Sequence, residues 1–424
     1  MTSENRGWLH LSVTELLLER MVHGGACLAR LPAGKLALVH GGVPGETVRT
    51  ELKPVSGVPQ GSVSEGVTPS GDRIEPTRHP GLNLDYIRYG RQLELKAEIV
   101  RDALQRALPR DAQPVEVAPT VASPDEWGYR NTVQPVVLKG RLGYLKPGTS
   151  EVVLLETDPT ANPAIQRAWE TLLRAGLAKG VRQVAIRGVD SGEAIVALIA
   201  SASARNFISY AHDLVGEGIT GVAYAEHDPR GRFRRGSERL AGARQLRQQF
   251  GDFGLSVTTG SFAQPNAAAA TLLYRRLKEL AGTGFEAHDL YAGSGGIAFH
   301  LAAGFRNVYA FEIDRSSVER GRTDARRLGL TNVTFEGGDV RQADFGRGAE
   351  LVTVDPPRSG LGREVRDLID ASDASRLIYV SCDAATWARD AADLIGKGWK
   401  LDLVEPYDFQ PHTHHVELLS HLSR

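Results

Sequence analysis

Apolar and polar positions follow different patterns in successive regions of the chain. Up to about residue 70, short strand-like runs such as LALVH (36–40) and TVRTEL (47–52) are separated by Gly-Gly and Pro-Gly turns, which predicts a small all-β unit. Arg91 to Leu108 carries apolar residues at helical spacing with charges on the other face, as in an amphipathic helix. From about 112 to 258, hairpin-like and helix-like runs mix, which indicates an α+β region.

From about Leu255 onward, apolar runs alternate regularly with helical stretches. This alternation predicts a parallel, doubly wound sheet, in which Asp314 is well placed to cap the helix after the second strand. The last two runs, KLDLVEPYDF and HVELLSHL, are joined by too few residues for a parallel crossover, so the final strand should run antiparallel. The five preceding strand-like runs are 288–292, 307–313, 332–338, 351–355 and 377–381.

Composition adds the broad class of protein. A chain of 424 residues predicts two or three domains, and 42% apolar with 24% charged residues is usual for a soluble globular protein. No apolar stretch reaches the length of a membrane span, the N-terminus lacks a secretory-signal layout, and two cysteines cannot form a disulfide framework, so a cytoplasmic enzyme is expected.

Charge is nearly balanced, with 50 basic and 51 acidic residues, so any binding of nucleic acid must depend on local patches. The segment from Pro229 to Gln249 is the strongest patch, with seven arginines and one glutamate. It is equally consistent with a solvated loop and with a surface that contacts phosphates.

A glycine-rich turn follows the first strand of the regular sheet, from Asp289 to Gly296. Gly293 and Gly295 would let the backbone approach a ligand closely, and Glu312, at the end of the next strand about twenty residues later, could accept hydrogen bonds from ribose hydroxyls. The pair indicates a nucleoside-containing cofactor rather than a purely structural turn. It leaves NAD and S-adenosylmethionine open, although Gly-x-Gly-Gly departs from the dinucleotide fingerprint.

Two more residues stand at strand ends on the same predicted edge of the sheet. Asp355 precedes two prolines that stiffen its turn, and it could serve either as a turn former or as a pocket residue. Cys382 ends the fifth strand. A single cysteine at such a position is usually a small buried residue, but the edge location and the motif around it favour a nucleophile. Cys27 has no such support and is predicted to be structural.

The series DLYAGSGG, FEID, DPPRSG, YVSCDAATWARD and PHTHHVE, in this order, resembles the RNA uracil-5-methyltransferases that use S-adenosylmethionine. SFAQPN (261–266) is similar to the Phe-x-Gln-x-Asn segment of that family. Upstream, ERMVHGGACLAR and VPGE resemble a TRAM domain, an OB-like RNA-binding β-barrel found in the ribosomal RNA members.

The resemblance implies a multidomain architecture. It consists of a TRAM-like barrel (1–70), a central α+β domain (71–258) whose helix at 91–108 packs on the catalytic domain, and a Rossmann-like class I methyltransferase domain (259–424) with an antiparallel last strand. It also implies the site. Cys382 would attack C6 of uracil, and Glu417 would be the base. Asp355 would line the cofactor and uracil pocket, with Tyr291 and Asp339 as weaker candidates at the same site. The residues that would hold S-adenosylmethionine are Gln264, Gly293, Gly295 and Glu312.

These roles agree with the chemistry. C5 of uracil is too weak a nucleophile to accept a methyl group unaided, but addition of a thiolate at C6 converts the ring to an enolate, and a base must later remove the C5 proton. The cysteine must be partly ionised, which favours an exposed, electropositive site. The target base must also leave its stack, at a cost of roughly a few kcal/mol that RNA contacts elsewhere, at the barrel and the arginine-rich segment, would offset.

The sequence departs from the family at several points. Asp383-Ala384 replaces the usual Asn-Pro, which predicts a looser and more acidic loop, and Ala263 stands where a phenylalanine is usual. Many relatives carry a four-cysteine iron–sulfur cluster, but residues 73–93 and 158–163, where its ligands would lie, contain no cysteine, so no cluster is expected. No metal site is expected either, because the spacing of three nearby histidines matches no standard zinc site. They are His412, His414 and His415.

The leading hypothesis is therefore a monomeric 23S ribosomal RNA uracil-5-methyltransferase. The nearest alternative is the transfer RNA enzyme of the same family, which mapping of the methylated uridine would separate. A non-catalytic RNA-binding protein would retain RNA affinity after Cys382→Ala and transfer no methyl group. A small-molecule methyltransferase would lack salt-sensitive RNA binding, and a dehydrogenase would bind NAD in a titration.

Overall fold

A closed five-stranded barrel forms the N-terminal part of the structure, which confirms the predicted β-barrel. The computed structural model describes residues 13–32, 34–55, 57–109, 115–343 and 345–424. Residues 1–12, which belong to the predicted first domain and to the segment inspected for a secretory signal, lie outside these ranges. The barrel strands are β1 (Thr14–Met21), β2 (Cys27–Arg30), β3 (Leu36–His40), β4 (Thr47–Thr50) and β5 (Gln60–Thr68), in the order β1-β2-β3-β5-β4.

Alternation along β1 shows why this segment closes on itself. Leu16 and Leu18 point into the barrel and are buried, while Leu17 between them is 58% exposed. Cys27 lies in the same core, its Sγ 3.2 Å from the carbonyl oxygen of Gly42. Burial raises the pKa of this thiol to about 12, which keeps it protonated and unreactive. After the barrel the chain enters α1 (Tyr89–Ala107).

The central region forms an eight-stranded sheet in the order β13-β12-β11-β10-β7-β8-β9, with β6 pairing to β10. Every residue of β11 is buried. α2 and α3 pack on one face of this sheet, whereas on the other face Phe233 packs against Ala197 and Ile199, and Ile195 joins the apolar cluster of the C-terminal sheet. The elements are β6 (Thr132–Val133), β7 (Val136–Leu138), β8 (Arg141–Leu145), β9 (Val152–Leu154), α2 (Pro163–Ala175), β10 (Val181–Gly188), β11 (Ala194–Ala200), a 3₁₀ helix (Ala204–Phe207), α3 (Ile208–Gly216), β12 (Gly221–Glu226) and β13 (Glu238–Gly242).

A hairpin and a helix lead from the central sheet into the last sheet. They are β14 (Leu246–Phe250), β15 (Phe253–Val257) and α4 (Ala267–Ala281). The side chain of Asn266 caps α4 by accepting a hydrogen bond from the Ala269 N–H at 3.0 Å. This cap fixes the SFAQPN segment against the sheet that follows.

The C-terminal sheet has seven strands in the order β18-β17-β16-β19-β20-β22-β21. β22 lies between β20 and β21 and is antiparallel to both, as the short connection predicted. Asp314 caps α6 as expected, accepting the Ser317 N–H at 3.0 Å. The elements are β16 (Gly284–Leu290), α5 (Gly296–Leu301), β17 (Phe305–Glu312), α6 (Arg315–Leu328), β18 (Val333–Gly337), a 3₁₀ helix (Val340–Gln342), β19 (Leu351–Val354), α7 (Arg363–Ala371), β20 (Arg376–Ser381), α8 (Ala384–Gly396), β21 (Lys400–Tyr407) and β22 (Glu417–Ser423).

α1 is distant in sequence from the C-terminal sheet but shares its core. Val100 and Leu104 of α1 belong to the apolar cluster that contains Trp387 of α8. Lys96 of α1 is fully buried, and its Nζ lies 2.6 Å from Oδ1 of Asp408, which is also fully buried. A buried charge is costly without such a partner, so the pair fixes α1 to the β21–β22 connection.

The two stretches that lack the family's cluster cysteines meet through a polar pair. His79 Nε2 lies 3.5 Å from Asp158 Oδ1, and the hydroxyl groups of Tyr144 and Thr160 donate to the same carboxylate, each at 2.6 Å. Burial alone would raise the pKa of Asp158, but the bonds from His79, Thr160 and Tyr144 lower it to about 2. Within the described ranges, no helix has the length and apolarity needed to cross a membrane.

Candidate functional site

A cavity of about 1040 Å³ opens at the carboxyl edge of the C-terminal sheet, facing the central sheet. Its wall includes most of the residues that the sequence predicted, although they come from separate segments: Gln264, Tyr291, Gly293, Glu312, Asp355, Cys382 and Glu417. Gly295 and Asp339 are not part of this wall. The predicted nucleophile, base and cofactor loop therefore lie around one space.

The loop after β16 is held by the carboxylate of Glu312. This carboxylate accepts hydrogen bonds from the backbone N–H groups of Gly293, at 2.9 Å, and Asp314, at 2.7 Å. β16 ends at Leu290, earlier than predicted, and Tyr291 has a φ of 62°, a left-handed conformation that bends the chain toward the cavity. A second carboxylate, that of Asp289, accepts the Ala298 N–H at 3.0 Å and secures the start of α5.

Gly293 and Gly295 serve the loop in different ways. A Cβ on Gly293 would meet nothing within 4 Å, so this residue leaves room on the cavity side, and its φ of 56° favours glycine. A Cβ on Gly295 would meet Phe335 at 2.6 Å and Phe299 at 2.9 Å. Gly295 therefore lets the loop pack closely on the core behind it.

The loop fits the nucleoside part of a cofactor. A carboxylate can accept about four hydrogen bonds, so Glu312 keeps acceptor capacity for ribose hydroxyls beyond its two backbone bonds. Gly293 leaves open space beside it. Asp339 lies further out, at the start of a 3₁₀ helix, where its carboxylate pairs with the guanidinium of Arg341.

On the other side of the cavity, Cys382 follows β20 and is partly buried. Burial, together with the nearby carboxyl groups of Glu417 and Asp355, raises the pKa of its thiol to about 11, although Arg358 acts in the opposite direction. The expectation of an exposed, electropositive cysteine is therefore wrong for the protein without substrate. The main reason is burial of the thiol, and the second is the presence of carboxyl groups from the end of β19 and the start of β22.

Both carboxyl groups have raised pKa values. Burial raises the pKa of Asp355 to about 7, and Gln264 donates a long 3.4 Å hydrogen bond to it. Glu417 is 7% exposed; burial and the neighbouring Asp355 raise its pKa well above the usual range, while Arg358 acts in the opposite direction. A carboxyl group with a raised pKa is a strong base once it has lost its proton.

Comparison with known proteins places this geometry in a family. The tRNA (uracil-5-)-methyltransferase family model matches residues 338–424. An uncharacterized RNA methyltransferase of Gloeobacter violaceus is 30% identical over 95% of this chain and 94% of its own length. The chain belongs to the RNA (uracil-5-)-methyltransferase family. An uncharacterized RNA methyltransferase of Thermosynechococcus vestitus is 28% identical over 98% of this chain and 99% of its own.

A solved structure has the same fold. The Pyrococcus abyssi tRNA (uracil-54, C5)-methyltransferase, in complex with S-adenosyl-L-homocysteine, superposes with a TM-score of 0.77 at 24% identity, over 96% of this chain and all of that chain. As a member of the family, this RNA (uracil-5-)-methyltransferase is an enzyme that uses S-adenosylmethionine and acts on RNA. Membership removes the dehydrogenase, small-molecule and non-catalytic alternatives.

Arg358 is a member of the methyltransferase site that sequence reasoning missed. It lines the cavity, and its positive charge lowers the pKa values of both Cys382 and Glu417. The signal was present in the DPPRSG motif, where only the aspartate was given a role. The structure shows that the same turn supplies the cation that opposes the two carboxyl groups.

Asp383, for which the sequence predicted a looser and more acidic loop after Cys382, is held by several contacts. Its carboxylate caps α8 by accepting the N–H groups of Ala385, at 3.1 Å, and Thr386, at 2.9 Å. Its other oxygen lies 3.3 Å from Nε2 of His23, in the β1–β2 loop of the barrel. The contact lowers the pKa of Asp383 and raises that of His23, so the pair is held as an ion pair.

The three histidines between β21 and β22 face different partners. His412 stacks on Trp127 with ring centres 3.9 Å apart, and His414 Nδ1 lies 2.7 Å from Asn83 Nδ2. In the part of the chain that the structure describes, no three histidine, cysteine or acidic side chains are grouped as metal ligands. The histidines instead hold the connection that leads into Glu417.

Proposed function

We propose that this enzyme methylates C5 of a uridine in 23S ribosomal RNA, with Cys382 as the nucleophile and Glu417 as the base. The observation that carries the proposal is the convergence of Cys382, Glu417 and Asp355 on one cavity with the Gly293 loop. A thiol and a base beside a cofactor loop are what C5 methylation of uracil requires.

The residues divide the reaction between them. The Cys382 thiolate bonds to C6 of uracil, and the C5–C6 π electrons move toward the carbonyl oxygen at C4 to form an enolate. When bound, S-adenosylmethionine would supply an electrophilic methyl group; C5 would bond to this carbon while the carbon–sulfur bond breaks, which leaves S-adenosylhomocysteine. Glu417 takes the C5 proton, the C5–C6 double bond reforms, and the Cys382–C6 bond breaks to release the thiolate.

The cofactor residues act by position. In the proposal, Glu312 accepts hydrogen bonds from the ribose, and the open space beside Gly293 leaves room for the cofactor. Gln264 and Asp355 lie between the cofactor and the uracil. Tyr291 and Asp339 are proposed at the edge of the same site, and Gly295 supports the loop from behind.

Before the proposed reaction can begin, Cys382 and Glu417 must both lose the protons that they hold in the substrate-free protein. The thiol and Glu417 both favour their protonated forms, and Arg358 is the cation that favours ionisation of both. In the proposal, Arg358 stabilises the thiolate as it forms, and Glu417 gives up its own proton before it can accept the proton from C5.

The RNA class has two candidates. The N-terminal barrel, with its TRAM-like sequence, supports ribosomal RNA. The description of the family model and the fold shared with the Pyrococcus abyssi enzyme support a transfer RNA substrate as the second candidate. Mapping 5-methyluridine in 23S ribosomal RNA and transfer RNA, from cells with and without the gene, decides between them. The proposal fails if only transfer RNA loses the modification.

A covalent trap tests the nucleophile. Fluorine at C5 of uracil leaves no proton for the base, so RNA containing 5-fluorouracil should remain attached to Cys382 after methyl transfer. We expect the adduct on denaturing gels with the unmodified enzyme and with Cys27→Ala, which alters the only other cysteine. Cys382→Ala should give no adduct, and an adduct in that variant would overturn the assignment.

A further inference from the structure

Behind the cavity wall, the side chain of Arg187 is buried without a counter-charge. It lies on β10 and is 3% exposed; Nη2 donates to the carbonyl oxygen of Ser261 at 2.7 Å. Its Nε and Nη1 have no hydrogen-bond partner, and among the described residues no carboxylate forms an ion pair with it. Ser261 is part of the cavity wall, so the guanidinium lies directly behind that wall.

A buried guanidinium with no counter-charge and a single hydrogen bond is costly, because one bond replaces little of the hydration that the charge has lost. Burial and the nearby positive charge of Arg320 lower the pKa of Arg187 to about 10, which still leaves it protonated at neutral pH. The fold therefore maintains a positive charge here that lacks an anion.

Arg320 belongs to the same positive region and lines the cavity. It extends from α6, where its Nη groups donate to the hydroxyl groups of Ser316, at 3.2 Å, and Ser317, at 2.8 Å, while its Nε is buried without a partner. The nearest carboxylate, that of Asp314, is 3.8 Å away and already caps α6. Arg320 is thus only partly neutralised.

The arginine-rich segment forms the approach to this region. Several of its arginines are occupied elsewhere: Arg230 pairs with Asp228, and Arg235 pairs with Glu226. Arg239 and Arg244, by contrast, line the cavity. The segment is therefore divided, and only part of its charge faces the space in front of Arg320.

We propose that Arg187 and Arg320 form an anion site, in the arm of the cavity beside α6, that receives a backbone phosphate of the RNA substrate. Arg320 contacts the phosphate, Arg187 stabilises it from behind the wall, and Arg239 and Arg244 line its approach. The inference rests on the proposed function in that RNA enters this cavity.

The cofactor carboxylate is the competing anion for the same site. The positive charge along the cavity wall extends beyond Arg320, because Arg239 and Arg244 also line it. A polyanion such as RNA can use an extended row of arginines, whereas a single carboxylate needs only one or two of them. This favours an RNA phosphate, and the affinity for S-adenosylhomocysteine distinguishes the two anions.

The test measures binding, so it does not depend on which uridine is methylated. The affinity of a short oligouridylate is measured against salt for the unmodified enzyme, Arg320→Gln, Arg187→Met and Arg187→Lys, all in a Cys382→Ala background. Arg230→Gln is the matched control, because it removes an exposed arginine that already has a partner. The affinity for S-adenosylhomocysteine is measured in parallel.

We expect Arg320→Gln and Arg187→Met to weaken RNA binding roughly tenfold and to lower the salt slope by about 0.7 for the lost phosphate contact. Arg187→Lys should recover much of the affinity, and Arg230→Gln and the affinity for S-adenosylhomocysteine should not change. If Arg187→Met does not fold, Arg320→Gln carries the test.

Unchanged RNA affinity and salt slope in Arg320→Gln would overturn the proposal. So would a loss confined to S-adenosylhomocysteine, which would assign the site to the cofactor carboxylate. Failure of the fluorouracil trap with these binding results intact would count against the proposed chemistry alone.

Discussion

The two halves of the cavity are built in different ways. The half proposed to bind the cofactor, the cofactor half, is made by neighbouring strands of one sheet: the Gly293 loop follows β16, and Glu312, which holds it, ends the adjacent β17. The half that contains the proposed nucleophile, the nucleophile half, draws on distant segments. Around Cys382 stand Arg358 after β19, Glu417 at the start of β22 and, through Asp383, His23 from the barrel.

This difference explains why the geometry of only one half depends on segments outside the C-terminal sheet. The hydrogen bonds of the cofactor loop involve residues fewer than about thirty positions apart, so ordinary sheet formation creates it. The nucleophile half needs the barrel, α1 and the β21–β22 connection in place, because His23 and the Lys96–Asp408 pair fix its surroundings. Substitutions in the cofactor half should therefore change mainly the affinity for the cofactor, whereas substitutions in the nucleophile half should change mainly turnover.

Glu417→Gln is expected to give the largest difference between the effect on turnover and the effect on cofactor affinity. Without the base, the C5 proton cannot leave, so turnover should fall by about 10²- to 10⁴-fold. The methylated adduct should also accumulate with ordinary RNA, which a denaturing gel would show. Affinity for S-adenosylhomocysteine should be unchanged. Loss of cofactor affinity without any adduct would show that Glu417 belongs to the cofactor half.

Arg358→Met should change the pH dependence. The proposed reaction requires ionised Cys382 and Glu417, whose pKa values are raised, so activity should rise with pH from neutral into the alkaline range. Removing the cation raises both pKa values further, so activity at neutral pH should fall by roughly tenfold for each pKa unit and recover at higher pH. Arg363→Met, which removes an exposed arginine on α7, is the control. An unshifted profile would remove Arg358 from the mechanism.

Glu312→Gln should affect only the cofactor half. A charged acceptor for ribose hydroxyls is lost, so affinity for S-adenosylmethionine should fall by roughly tenfold or more. Single-turnover rates at saturating cofactor should stay close to those of the unmodified enzyme. Gly293 and Asp314 donate to different oxygens of Glu312, so the glutamine amide keeps an acceptor for only one of these two backbone N–H groups. A large fall in the saturated rate would contradict the division between the halves.

The smallest effect is expected from His23→Ala. The variant removes an exposed ion pair, worth about 1 kcal/mol or less, so we expect a turnover loss of roughly two- to fivefold. Asp383 keeps its capping bonds to α8, and Asp383→Asn, which keeps the cap, should match His23→Ala. Cofactor affinity should not change. If both variants retain full turnover, the barrel does not contribute to the nucleophile half through this contact.

Strand periodicity and capping residues predicted the sheet, its antiparallel last strand and the cap at Asp314, because these depend on local spacing. The cofactor loop and the carboxylate that holds it were visible for the same reason. Sequence could not predict the partner of Asp383, since His23 is separated from it by hundreds of residues. Nor could it predict the pKa of Cys382, which depends on carboxyl groups that only the folded chain brings together.

Arg187 shows most clearly what the sequence alone could not predict. Its place in an apolar strand gave no sign of function, and only the folded structure shows that its charge lacks a partner. Gly295 is a different case. Its motif predicts ligand contact, and the structure adds close packing against Phe335 and Phe299, which the motif did not show.

The position of β22 has a consequence for how the enzyme is made. A ribosome adds this strand after every other strand of the sheet, yet it lies between β20 and β21. A growing chain can therefore have its cofactor loop folded and its thiol exposed while it still lacks Glu417. At that stage the edges of β20 and β21 that pair with β22 are unpaired. Such a chain could attach to RNA but could not release it. Completion of the sheet and the ability to finish the reaction thus come with the same few residues.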